Sequence, residues 1–256
     1  VRNMIEHQKV KGYLPIWTLW GAENYCMIGN HSIPVIADAI LKNQTGFDYE
    51  EAYQAMKISS TVPHKGSEWD IYDKYGYRPG DWIRAESVSK TLEVSFDDWC
   101  VAQVALKLGK IADYDFFMKR AGFHKNLFDP ETKFYRAKDS KGNWMTPFNP
   151  YNVLHSHGYT EGNAWQYYWA AQHDISWLVQ ATGGKNAFEA KLDQLFTDTT
   201  AFEGNWHDVT GLIGQYAHGN EPSHHYAYLY NYSGKTYKAQ KILNKIMTEL
   251  YTDQND

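Results

Sequence analysis

Cysteine is nearly absent from this 256-residue chain, which holds only Cys26 and Cys100. Neither sits in a C-x-x-C arrangement or at a zinc-site spacing, so a disulfide framework is excluded. An excess of basic charge is also missing. Lys and Arg total 25 against 30 Asp and Glu, the formal net charge is −5 and the pI is about 6.1. No basic field exists to attract phosphate backbones or anionic lipid, so nucleic acid and membrane surfaces are not expected partners. No run approaches the ~20 apolar residues of a membrane span. The opening VRNMIEHQKV lacks the charged, apolar, small-residue order of a signal peptide, and the chain reads as mature or truncated. Strand-type alternation is scarce.

Aromatics are abundant instead. Trp 10, Tyr 20 and Phe 11 make 16% of a chain whose mean hydropathy is nonetheless −0.61. Rings with a polar handle suit the apolar faces of sugars, although aromatic-rich helix packing accounts for most of them.

Helical periodicity dominates, with segments near 31–43, 48–60, 88–109, 113–121, 161–181, 186–198, 222–231 and 235–251. Cap chemistry supports several: Asp48 precedes a run with Glu51 three residues on, Pro222 suits a first turn, and Gly109 and Gly183 suit helix ends. At 100° per residue, Leu92, Phe96, Trp99, Ala102 and Leu106 share one face. Val94, Val101, Ala105 and Leu108 share the opposite one, so that helix is buried on two sides. Ala239, Ile242, Leu243, Ile246, Met247 and Leu250 occupy one face of the last helix, with Lys238, Lys241 and Lys245 on the other, so that helix faces water. Inner helices with two apolar faces and outer helices with one are what a two-layer array of helical hairpins requires, and the chain reads as all-α. The stretches 62–87 and 125–159 read as long ordered loops of the functional kind.

The densest polar cluster is QYAHGNEPSHH at 215–225. Zinc would want H-E-x-x-H or nearby thiols, which are lacking. Calcium or a sugar fits better, because Gln215, Asn220, Glu221 and nearby carbonyls are oxygen donors of the type a hard cation prefers. A capped helix start with His224 and His225 satisfied by hydrogen bonds is the alternative. The second cluster, TEGNAWQY at 160–167, puts the Glu161 carboxyl beside Trp165. A carboxyl held against a ring can keep its proton near neutral pH, as a general acid must. An ordinary first-turn Glu is the alternative. His173 with Asp174 forms a third group. Asp97 and Asp98, beside Trp99, lie off both apolar faces and suit pairing with Arg or Lys at the edges of the buried layers. Cys26, in an apolar setting, reads as core.

The segments GYLP (12–15), CMIG (26–29), PVIAD (34–38), DDWC (97–100), TEGNAWQY (160–167) and GLIGQYAHGNEPSHH (211–225) occur in that order. Together they resemble the family 92 glycoside hydrolases, calcium-dependent exo-acting α-mannosidases, over nearly the whole chain. The resemblance implies an (α/α)6 barrel packed on an N-terminal β-sandwich, hydrolysis of terminal α-linked mannose with inversion, and a Ca2+ ion gripping the sugar. It assigns Glu161 as general acid. It places Asn220 and Glu221 by the calcium and the terminal sugar. Gln215 is expected as a further metal donor, and His218, Trp165 and Trp99 are expected as sugar contacts.

The resemblance also implies a general base in a Gly-Asn-Glu-Asp segment beyond Asp256. Residues 1–256 are thus expected to be a partial catalytic barrel, with the β-sandwich and the end of the barrel elsewhere in a longer polypeptide. Expected partners are mannose-containing glycans and the rest of that polypeptide, in a secreted or periplasmic setting. The rival reading is a non-catalytic mannose-binding or structural helical module.

Overall fold

Local chemistry starts the helices where the spacing predicts. Asp48 accepts the Glu51 backbone N–H at 2.8 Å and opens α3 (Tyr49–Thr61), which its apolar face then buries through Ala52, Tyr53, Ala55 and Met56. In this computed structural model, residues 1–154, 157–204 and 209–253 are described. Positions 155 and 156 of the second long stretch, and the final three residues of YTDQND, lie outside them. The chain divides into two units, Val1–Ile83 with Ser87–Leu127, and Arg84–Glu86 with Phe128–Asp256.

The first unit comprises α1 (Arg2–Lys11), a hairpin of β1 (Thr18–Leu19) and β2 (Ala22–Glu23), α2 (Ser32–Leu41), α3, α4 (Trp69–Tyr75), α5 (Ser87–Lys107) and α6 (Ile111–Ala121). A 3-10 turn, Phe123–Leu127, closes it. Its core joins Leu14, Ile36, Ile40, Met56, Val101, Val104 and Phe117, each fully buried. Each such side chain contributes roughly 1.5–3 kcal/mol by leaving water. Neither α1 nor α4 was expected from periodicity. Both are short, and α1 buries a single residue, Ile5, so it carries almost no apolar stripe.

The two-sided burial of α5 holds at Leu92, Val94, Val101, Ala102 and Ala105, whereas Leu106 is 46% exposed, one residue before the end. The acidic pair lies deeper than the edge position expected. Asp98 is fully buried, and its carboxylate takes Arg120 Nε at 3.0 Å; Asp97 accepts the Asn30 backbone N–H at 2.8 Å.

The second unit begins with a hairpin of β3 (Phe128–Asp129) and β4 (Phe134–Tyr135). It continues through α7 (Ala164–Tyr167), a 3-10 turn (Gln172–Asp174), α8 (Ile175–Thr182) and α9 (Lys185–Thr197). A second hairpin, β5 (Leu212–Ile213) with β6 (Tyr216–Ala217), precedes 3-10 segments Glu221–Ser223 and Tyr226–Ser233, and α10 (Thr236–Glu249) ends the series. Gly183, at φ 119°, ends α8 as expected.

Two expected helices are corrected. The run 161–181 is not one helix: α7 ends at Tyr167, the buried residues Tyr168, Trp169, Ala170 and Ala171 follow it, and a 3-10 turn over Gln172–Asp174 leads into α8. The segment near 222–231 winds as 3-10 rather than α, which seats Tyr226 and Tyr230 inside with their hydroxyls donating to Gln166 O at 2.5 Å and Asp193 Oδ1 at 2.9 Å. On α10, Ala239 and Ile246 are buried and Lys241 is exposed as expected. Met247 is 60% exposed, and Lys238 is drawn into ion pairs with Glu189 and Asp193, both at 2.6 Å.

Candidate functional site

The TEGN turn is built by its own side chains. Asn163, in extended backbone, accepts the N–H groups of Trp165 (3.0 Å) and Gln166 (3.2 Å), and Gln166 Oε1 accepts the Asn163 N–H at 2.9 Å. This reciprocal cap fixes the start of α7 and satisfies donors that a buried helix end would otherwise leave open. Glu161, two residues upstream, adopts the left-handed region at φ 49°. Such a conformation costs a residue with a Cβ about 1 kcal/mol or more, and it persists only where neighbours enforce it.

Those neighbours come from the second motif. Asn220 Nδ2 donates to the Glu161 carbonyl at 3.0 Å. Asn163 Nδ2 donates to Gln215 Oε1 at 3.4 Å, and Gln166 Nε2 to the Gln215 carbonyl at 3.0 Å. Gln215 Nε2 in turn donates to the carbonyls of Asp198 (3.1 Å) and Thr200 (2.8 Å), and its backbone N–H to Leu195 O at 2.7 Å. Asn163, Gln166, Gln215 and Asn220 are all buried. A buried, hydrogen-bonded amide network of this kind rigidifies what it touches.

The structure thus brings Glu161, Gln215 and Asn220 together, with Glu221 next in the chain and exposed, at the start of a 3-10 turn carrying Pro222. His218 is half-buried. Its Nδ1 lies 2.8 Å from the Tyr216 hydroxyl, its Nε2 lies 2.7 Å from the Tyr251 hydroxyl, and its ring stacks on His224 at 4.5 Å. Burial, reinforced by the His224 charge, lowers its pKa and favours the neutral ring. His224 and His225 direct Nε2 to the carbonyls of His218 (2.9 Å) and Trp169 (3.2 Å), as the capped-start alternative expects of them.

Two expected placements differ. Trp165 is 2% exposed, with Phe134 edge-on to its ring at 5.0 Å, so it offers no free face to a sugar. Gln215 commits its amide to the frame and is 1% exposed, which suits holding the loop better than holding an ion. Trp99 belongs to the first unit, where it stacks on Phe96 at 6.2 Å.

Calcium takes six to eight oxygens. Asn220 spends Nδ2 on Glu161, which leaves Oδ1 as a neutral donor beside the exposed Glu221 carboxylate. That pair fits a hard cation. Among the described residues no cluster of three His, Cys, Asp or Glu forms a metal cage, so the remaining oxygens would be those of sugar, water or other parts of the polypeptide. Sequence reasoning missed Asn163 and Gln166, although N-x-x-Q before an apolar run is a legible capping pattern. It also missed Lys191 on α9, whose Nζ lies 3.8 Å from the Trp165 ring centroid. Nothing in a helical pattern marks such a lysine.

Comparison with known proteins places this geometry. The sequence matches the glycosyl hydrolase family 92 catalytic domain over residues 1–256. A family 92 α-mannosidase from Bacteroides thetaiotaomicron, solved in complex with mannoimidazole, is 44% identical with a TM-score of 0.91, over 99% of this chain and 34% of that one. An inverting family 92 mannosidase from the same organism is 34% identical with a TM-score of 0.86, over 98% and 35%. An uncharacterized secreted glycosidase from Arthroderma benhamiae is 26% identical over 287 residues, covering 98% of this chain and 35% of that protein. The chain spans about a third of the length of each. The expected helical fold stands, since these relatives have an (α/α)6 barrel. With the TEGN and HGNEP turns locked together and the match running from end to end, this chain belongs to the catalytic domain of glycosyl hydrolase family 92.

Proposed function

We propose that the protein containing this chain is an exo-acting α-mannosidase that removes terminal α-linked mannose from glycans, with Glu161 protonating the departing oxygen. The observation that supports this reading is the hydrogen bond from Asn220 to the Glu161 backbone carbonyl, which ties the turn bearing Glu161 to the turn bearing Asn220 and Glu221 across 59 positions. The mannosidase names of the relatives agree with it.

The mechanism divides by residue. Asn163 and Gln166 hold the turn, so the Glu161 carboxyl is offered from a fixed backbone rather than a mobile loop. Asn220 and Glu221 would hold Ca2+, which supplies orientation of the mannose hydroxyls and charge compensation. With inversion, a second carboxylate of the longer polypeptide activates water ~6.5–9.5 Å from the acid. The secreted relative supports a secreted or periplasmic setting, and among the described residues no helix is long and apolar enough to cross a membrane.

The test compares leaving groups in the full-length protein. A 2,4-dinitrophenyl mannoside needs almost no protonation, whereas a mannobiose does. Glu161→Gln should therefore spare the former and slow the latter on the order of 10² to 10⁴. Equal losses would assign Glu161 to sugar or metal positioning instead.

A further inference from the structure

Lys191 is the unusual cation of the second unit. Among the described residues its ammonium makes no hydrogen bond or ion pair, and it sits in the corner where the Phe134 and Trp165 rings meet nearly at right angles, 3.7 Å from the Phe134 ring centroid and 3.8 Å from that of Trp165. Tyr168 adds a third ring at 5.3 Å. The acidic neighbours on the same helix, Glu189 and Asp193, are engaged by Lys238. Asp198 at the end of α9 acts on Lys191 through space, while its own carboxylate accepts the Tyr151 hydroxyl at 2.8 Å and the Thr200 N–H at 2.9 Å. Tyr151 and Tyr168 are the other titratable groups facing this pocket, and burial pushes both phenols up, so they stay neutral.

A cation lodged in the corner of two rings is attracted to both, and the attraction grows as water is excluded. Trp165 is the second residue of α7, and its backbone N–H is bonded to Asn163 Oδ1, two residues from Glu161. Whatever fixes the indole therefore fixes the turn that carries Glu161. We propose that Lys191 is a positioning residue for glycoside hydrolysis: its ammonium clamps Trp165 against Phe134 and so holds the Glu161 turn in its left-handed shape. The proposal rests on Glu161 being the general acid.

The obvious variant should fold. Burial pushes the ammonium down to about 8 from 10.5, outweighing the pull of Asp198. A group whose charged form is disfavoured in the fold costs stability below that pH, so Lys191→Met is not expected to lower Tm at pH 7. Lys191→Arg keeps a cation at every pH.

The experiment uses the full-length protein with each variant, and reads kcat on mannobiose and on the 2,4-dinitrophenyl mannoside at pH 6.5. Tryptophan fluorescence is titrated from pH 6 to 10 in parallel. Lys191→Met should lose about tenfold in kcat on mannobiose, the scale expected for a sub-ångström displacement of a catalytic group. It should keep its rate on the activated substrate, and Lys191→Arg should retain most of both. Fluorescence of the unaltered protein should change near pH 8, and in neither variant. A purely structural lysine would instead cost Lys191→Met both rates equally, and that outcome overturns the proposal, as does full activity on mannobiose. A fluorescence titration surviving in Lys191→Arg overturns the clamp alone. If the unaltered protein hydrolyses neither substrate, the reading of the site falls and the catalytic role of Lys191 with it, while the titration still decides the clamp.

Discussion

Asn220 Nδ2 donates to the backbone carbonyl of Glu161 at 3.0 Å, so one motif holds the strained turn of the other. The expected consequence separates two roles for Asn220. If it only offered Oδ1 to a cation, Asn220→Asp should keep activity, because a carboxylate oxygen binds calcium at least as well. If the donated hydrogen bond sets Glu161, both Asn220→Asp and Asn220→Ala should lose kcat on mannobiose by roughly 10- to 100-fold, since a displaced catalytic group costs that much. Steady-state kinetics at saturating calcium decide between the two.

The ion pair of Asp98 with Arg120 is buried on both sides, and Arg120 also donates Nη1 to the Ser60 carbonyl at 3.0 Å and lies over the Trp69 and Tyr72 rings. Removing one partner strands the other charge away from water. Arg120→Met should cost roughly 3–5 kcal/mol and lower Tm by about 10 °C. Replacing both residues by apolar ones of similar volume should recover part of that loss. Thermal melts of the single and double variants measure it.

The sequence carried the two-faced helix well, because Leu92, Val94, Val101, Ala102 and Ala105 are buried at the period the pattern announces, and the single-faced last helix in part, with Ala239 and Ile246 buried and Met247 exposed. It failed where aromatics run together. Tyr167, Tyr168 and Trp169 read as part of a helix by composition, yet α7 stops at Tyr167, and the rings that Tyr168 and Trp169 meet, such as Phe134 and Phe188, are distant in the chain. At the site, the motifs singled out Glu161, Asn220 and Glu221 as candidates. The frame behind them was not, since the bonds joining Asn163 and Gln166 to Gln215 span about 50 positions. Likewise, Asp97 and Asp98 announced a structural role without announcing that the protein would bury them completely.

That burial makes a pH-dependent prediction at Asp97, which is 2% exposed and uses one carboxylate oxygen for the Asn30 N–H while the other has no hydrogen-bond partner. Desolvation pushes its carboxyl up to about 7 against the pull of His31, with Glu93 and Asp98 adding repulsion. His31 is itself bonded to Glu93 at 2.8 Å and raised to about 9, so its charge is present throughout the relevant range. The folded carboxyl then holds its proton up to near 7, whereas in the unfolded chain it releases it near 3.8. Between those values the folded state binds more protons, so stability falls as pH climbs through the window. Asp97→Asn keeps an oxygen for the Asn30 N–H and cannot ionise. It should therefore be more stable than the unaltered protein at pH 8, by about 1–3 kcal/mol. The advantage should shrink on acidification and vanish by about pH 4. Chemical denaturation at pH 4.5, 6 and 8 reads the difference, and an advantage that stays constant with pH would mean that Asp97 is ionised in the fold at no cost.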